Sequence, residues 1–154
     1  MTGIVYTKAA DVALEITTRL ERILIANGFE TDIGRDVKRG RRKMPADDAP
    51  PCVVLYEGND DAKDRPGHIP LALIQQGYVI DAFDKCDPDN PNDQAHKMIR
   101  DIKRVIFAGD ATLGRKVNKV LYLGRDIGPR PDGVALVQAR VAIGVEFVEN
   151  LTDP

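Results

Sequence analysis

The chain has 154 residues, 30% of them charged, with a formal net charge of −2. That length buries a core within one domain without help from metal or disulfides, and the near-neutral balance excludes a global field for nucleic acid or an anionic membrane. No uncharged apolar run approaches the ~18 residues needed to span a bilayer, and the start MTGIVYTKAADVALEI lacks a basic region followed by an apolar one, so neither a membrane span nor an export signal is expected.

Taken in order, Val12, Ala13, Ile16, Leu20, Ile23 and Leu24 recur at three- and four-residue steps and predict an amphipathic helix from about Lys8 to Asn27, with Gly28 placed to end it. Phe29–Val37 reads as a short strand. The run Lys38–Lys43, KRGRRK, concentrates positive potential on a Gly-containing segment, either as a solvated loop or as a contact with phosphate or an acidic partner. Met44–Pro51 reads as a linker and Cys52–Tyr56, CVVLY, as a central strand. Glu57–Pro70, rich in Gly, Asn, Asp and Pro, predicts a long exposed loop. Leu71–Phe83 alternates as a strand, with Gln75–Gly77 a candidate bulge.

The connector Asp84–Asp93 is turn-rich, and Asn92 or Asp93 is a candidate cap for a helix over about Gln94–Phe107. Its apolar stripe is Ala95, Met98, Ile99, Ile102, Val105 and Ile106, with Arg100, Asp101, Lys103 and Arg104 elsewhere. A short run at Val120–Leu123, a loop over Gly124–Gly133 and a long alternating strand at Val134–Val148 complete a C-terminal hairpin. The order α-β-β-β-α-β-β, without repeats, predicts one α+β domain spanning residues 1–154. A largely antiparallel, mixed sheet would carry two packed helices, with long loops at about 38–51 and 57–70.

Chemistry finds no anchor in this pattern. DKCDPDNPND fails the EF-hand spacing because Pro91 stands at a ligand position and no Gly or distal Glu is in register. GDATLGRK, residues 109–116, departs from a Walker loop, with Arg115 between Gly and Lys and Val117 after the Lys. The chain has no serine, and His68, His96, Cys52 and Cys86 have no companions at ligand or nucleophile-base spacing. The two cysteines read as buried thiols of a reducing compartment. Asp81 and Asp84 are the nearest thing to an acid/base pair, though no spacing selects them. The expectation is a non-enzyme with no metal and no cofactor.

Several stretches together carry a resemblance: the opening helix running into ILIANGFETDIGRDVKRGRR, then PPCVVLYEG, YVIDAF, CDPDNPNDQAHKMIRDIKRVIF and VQARVAIGVEF. In this order they resemble the tail-terminator and tail-completion (minor tail) proteins of long-tailed bacteriophages and prophages, over nearly the whole chain. The resemblance implies a structural protein made in the bacterial host cytoplasm and incorporated into the virion tail. There it would form a ring, commonly a hexamer, at the head-proximal end of the tail tube. It would stop tube polymerisation and present the head-tail joining surface. Implied partners are other copies of itself, the tail tube protein and a head-tail connector protein, with DNA passing through the lumen. The alternatives are another neck or connector component, or a small nucleic-acid-binding module. Lys38, Arg39, Arg41, Arg42 and Lys43 are the candidate lumen or partner contacts. Gln138, Arg140 and Glu146, the polar face of the last strand, are the candidate intersubunit surface.

Overall fold

The computed structural model describes residues 6–40, 50–128 and 135–154. Helix α1 (Lys8–Leu20) starts where the Thr7 hydroxyl accepts the Ala10 amide at 3.3 Å, satisfying one of the orphan donors of a first turn. It is shorter than its periodicity predicts. After Leu20 the chain turns back on itself, the Ile23 amide bonding the Leu20 carbonyl at 3.1 Å. Gly28, at φ +89°, therefore closes a single 3-10 turn (Ile25–Asn27) rather than the helix. The strand expected over Phe29–Val37 is likewise displaced: a second 3-10 turn (Ile33–Arg35) precedes a three-residue strand β1 (Val37–Arg39).

Strands β2 (Cys52–Arg65) and β3 (Leu71–Lys85) form a long antiparallel hairpin. This corrects the loop expected at 57–70, of which only the turn between Arg65 and Leu71 remains. The polar residues Asp60–Arg65 lack strand propensity, but β3 is fixed on its far side by the last strand and offers them a complete ladder of partners. The irregularity expected in Gln75–Gly77 lies across the ladder instead, as a register shift in β2 between Glu57 and Asp60. There Gly58 lies so close to Gly77 that an added Cβ would sit 3.2 Å from the Gly77 carbonyl oxygen.

Helix α2 (Pro91–Phe107) begins three residues before its predicted start, because Pro91 needs no amide partner in the first turn and its fixed φ suits that position. Strand β4 (Lys119–Ile127) then pairs with β5 (Leu136–Asn150), so Gly124–Ile127, expected in the loop, continues the strand. Among the described residues the sheet order is β1-β2-β3-β5-β4, with only the β1/β2 contact parallel. The α+β class and the element order match expectation. The last strand is interior to the sheet, leaving β4 as its edge on that side.

Both helices cover one sheet face. Tyr78, Ile80 and Ala82 of β3 lie in register with Ile143, Val141 and Ala139 of β5, and all pack against Val12, Ile16, Leu20, Met98, Ile99 and Ile102 at no more than 3% exposure. Each Val, Ile, Leu and Met side chain among these contributes about 1.5–3 kcal/mol by leaving water, so this layer is the fold's main stabilising element.

Two polar side chains hold the helices in place. Arg19, 5% exposed, spends its Nη1 on the carbonyls of Ile106 at 3.1 Å and Asp110 at 2.7 Å, satisfying α2's C-terminal end, while its Nε meets Glu15 at 3.3 Å. The Asp110 carboxylate accepts the Thr112 hydroxyl and the amides of Thr112 and Gly114, at 2.5, 2.8 and 2.9 Å. The Thr112 hydroxyl bond, then the two amide bonds, lower its pKa below the ordinary value. A carboxylate with a depressed folded pKa contributes stability above its unfolded pKa and loses it as pH falls through the folded one. On acidification the Thr112 and Gly114 amide resonances should shift together, with a midpoint below the usual aspartate range. A midpoint at or above that range would contradict this loop closure.

Candidate functional site

Among the described residues, the second face of the sheet carries no helix. Alternation along each strand sends Val54 and Tyr56 of β2 to it, in register with Asp81 and Val79 of β3. Ala142 and Arg140 of β5 follow across β3, and Leu121 of β4 stands opposite Gly144. Val54 is buried, while Tyr56, Val79, Phe83, Leu121 and Ala142 are half-buried. Gly77 and Gly144 face each other and put no side chain on the row between them. Leu123, 56% exposed at the β4 irregularity, leans over that row, with Cδ1 3.4 Å from where a Gly144 Cβ would stand. The result is an apolar strip crossing four strands.

At its centre lies one ion pair. Asp81, 2% exposed, accepts the Arg140 Nε at 2.7 Å and a second guanidinium nitrogen, Nη2, at 2.9 Å. The bidentate geometry fixes the plane of the guanidinium. Among the described residues the third nitrogen, Nη1, has no partner, and about half of the Arg140 side chain is exposed. The hydrogen bonding of the guanidinium to Asp81, followed by the Asp81 charge, raises the Arg140 pKa. Burial, followed by the Asp81 charge, raises that of the neighbouring Tyr56 hydroxyl. Arg140 is thus an oriented, permanently charged donor within an apolar surround.

The other expected intersubunit residues share this face. Glu146 meets Lys119 at 3.8 Å, and Gln138 lies half-buried opposite Phe83, near the end of β3. Sequence periodicity placed these three together. It did not identify Asp81 as Arg140's partner, and it took the face to be polar. The signal for an apolar second face was present in CVVLY, where consecutive apolar residues must supply both sides of a strand.

The basic run divides. Lys38 lies 3.4 Å from Asp36 and Arg39 lies 3.0 Å from Glu57, so both charges have acidic neighbours within the chain. Arg41, Arg42 and Lys43 lie outside the described residues. The imagined pairing of Asp81 with Asp84 is corrected: an odd spacing along β3 sends them to opposite faces, and Asp84 accepts the Gln94 side chain at 2.7 Å. His96 contacts the Arg125 guanidinium at 3.1 Å, and His68 is exposed in the β2–β3 turn. Cys52 is buried as expected, whereas Cys86 is only half-buried. Among the described residues no group of three His, Cys, Asp or Glu side chains is placed to hold a metal. No helix in that set is long and apolar enough to cross a membrane.

No family model matches the chain, and no curated protein matches its sequence. Among solved structures it is similar to a chain from the virion of a native gene transfer agent (GTA) particle, at 13% identity and a TM-score of 0.49, covering 94% of this chain and 100% of that one.

Proposed function

We propose that the protein is a structural component of a phage-type tail, a tail terminator that assembles as a ring on the head-proximal end of the tail tube and ends its growth. The observation that carries the reading is the sheet face that no helix covers among the described residues, an apolar strip with the half-exposed Arg140 guanidinium at its centre. Apolar surroundings with an arginine anchor are the usual composition of a protein-protein contact. The segment-by-segment resemblance to tail terminators and the absence of an acid/base or nucleophilic constellation in the sequence point the same way.

The sheet's two edges add a means of closing a ring. Beyond its short pairing with β1, β2 has an outer side carrying Asp60, Asp61 and Asp64, while the outer strand β4 carries Lys119 and Arg125. Head-to-tail contact between unlike edges, with opposite charges in excess, is the arrangement that generates a closed ring rather than a two-fold dimer. Binding to DNA through the basic run is the weaker reading, since Lys38 and Arg39 already have acidic neighbours.

Electron microscopy of tail tubes incubated with the protein tests the proposal. One extra ring of density at a single end of each tube is expected; tube ends indistinguishable from untreated ones would overturn it.

A further inference from the structure

Positive charge is compensated unevenly over this chain. Arg19, Lys38, Arg39, Lys116, Lys119 and Arg140 each have a carboxylate at 2.7–3.8 Å. The outward face of α2 differs. Lys97, Arg100 and Arg104 follow one another at steps of three and four residues, so they share one side of the helix, and all three are exposed. Arg100 meets Glu30 at 3.4 Å, an exposed pair that water screens. Arg104 lies over the Phe29 ring, 4.9 Å from its centroid, and donates to the Gly28 carbonyl at 3.3 Å. Arg22, exposed just before the first 3-10 turn, lines one open cleft with Arg104. On the other flank, Lys103 lies 4.4 Å from the centroid of Tyr122 in β4, and Arg125 contacts His96. An aromatic ring orients a cation without cancelling its charge. Among the described residues Glu30 is the one carboxylate within ion-pair distance of any of these six cations, and Arg22 and Lys97 have no acidic partner.

We propose that this face binds the phosphate backbone of double-stranded nucleic acid through Arg22, Lys97, Arg100 and Arg104, without reading its sequence. The formal net charge of −2 does not oppose this, because a local concentration of cations sets the local potential. Apolar surface is scarce here: Phe29 and Val105 are half-buried, and Arg104 already covers the Phe29 ring. A protein partner needs an apolar centre to bury, as the Arg140 face provides, whereas a phosphate backbone needs only charge. From Lys97 to Arg104 the helix axis advances about 10 Å. A duplex strand carries one phosphate per about 3.4 Å of its axis, so the row reaches about three phosphates and Arg22 adds a fourth contact. Glu30 is the internal competitor, the carboxylate that a phosphate displaces from Arg100. The face is complete in a single chain, so it stands or falls separately from ring assembly.

Fluorescence anisotropy of short labelled DNA duplexes, titrated with the full chain at several salt concentrations and without tail tubes, tests this. Four phosphate contacts give a slope of log affinity against log salt of about −3.6, the same for unrelated sequences. Arg22→Gln combined with Lys97→Gln removes two exposed charges that have no acidic partner among the described residues, so the fold should be unaffected and the slope should shrink to about −1.8. Lys63→Gln combined with Arg65→Gln removes the same charge from exposed positions on β2 and should leave the slope at the parent value. Glu30→Gln keeps the backbone amide that Asp101 holds and removes the competing carboxylate, so it should bind DNA more tightly than the parent. No saturable binding at low salt, equal slopes for the two double variants, or tighter binding to polyglutamate than to DNA, the mark of an acidic protein partner, would overturn the assignment.

Discussion

Asp101→Ala should destabilise the protein by about 3–5 kcal/mol, the scale seen when a buried charge or its partners are orphaned. Asp101 is fully buried on α2, and its carboxylate accepts from three donors of the loop after α1: the Thr31 amide at 2.8 Å and the Thr31 hydroxyl at 2.7 Å, both with Oδ2, and the Glu30 amide, shared between Oδ2 at 3.0 Å and Oδ1 at 3.1 Å. Thr31 is itself 1% exposed, so water cannot replace the lost acceptor without opening the loop. Asn in place of Asp keeps one acceptor oxygen but turns the other into a donor facing donors, so Asp101→Asn should fall between Ala and the parent chain. Urea unfolding checks this: the midpoint should fall with an unchanged slope. A loss below about 1 kcal/mol for Asp101→Ala would mean that the loop is not clamped in this way.

Gly34→Ala is the second large effect. A Cβ on Gly34 would sit 2.5 Å from the Leu20 carbonyl oxygen, 2.7 Å from that of Ile23 and 2.9 Å from that of Glu21. All three are backbone atoms at the end of α1, so no rotamer change relieves the overlap. The Gly34 amide bonds the Ile23 carbonyl at 2.9 Å, and the two segments must separate to admit a methyl group. Overpacking of this kind costs about 1–3 kcal/mol, and rigid backbone on all sides puts Gly34→Ala at the upper end. Gly77→Ala is the control, because its Cβ would find its nearest neighbour, the Asn59 carbonyl oxygen, at an ordinary 3.8 Å. Thermal melting should separate the two clearly; equal melting temperatures would contradict the close approach at Gly34.

These two residues also show where sequence reading stops. The stripe Ala95, Met98, Ile99, Ile102 and Ile106 is legible because helical periodicity fixes which side chains share a face, and all are buried. Asp101 occupies the flank of that stripe and reads as solvated, since the loop that covers it arrives from about 70 residues away in the chain. Gly34 has the same character: an unremarkable glycine until α1 ends beside it. In β2 the residues Asp60–Arg65 lack alternation and apolar content, and only their pairing with β3 makes them strand. On the open face, alternation placed Gln138, Arg140 and Glu146 together. The buried partner Asp81 depended on register between β3 and β5, which periodicity along a single strand does not encode.

The sheet face around Arg140 can be tested directly in tube assembly. Growth of tail tubes from purified tube protein, followed by light scattering with increasing amounts of this protein, measures termination directly. As the proposed terminator, the parent chain should halt elongation at a ratio of one ring per tube, and Arg140→Glu, which puts a second carboxylate beside Asp81 at the centre of the apolar strip, should leave growth running. Elongation unaffected by the parent chain, or halted equally well by Arg140→Glu, would contradict it.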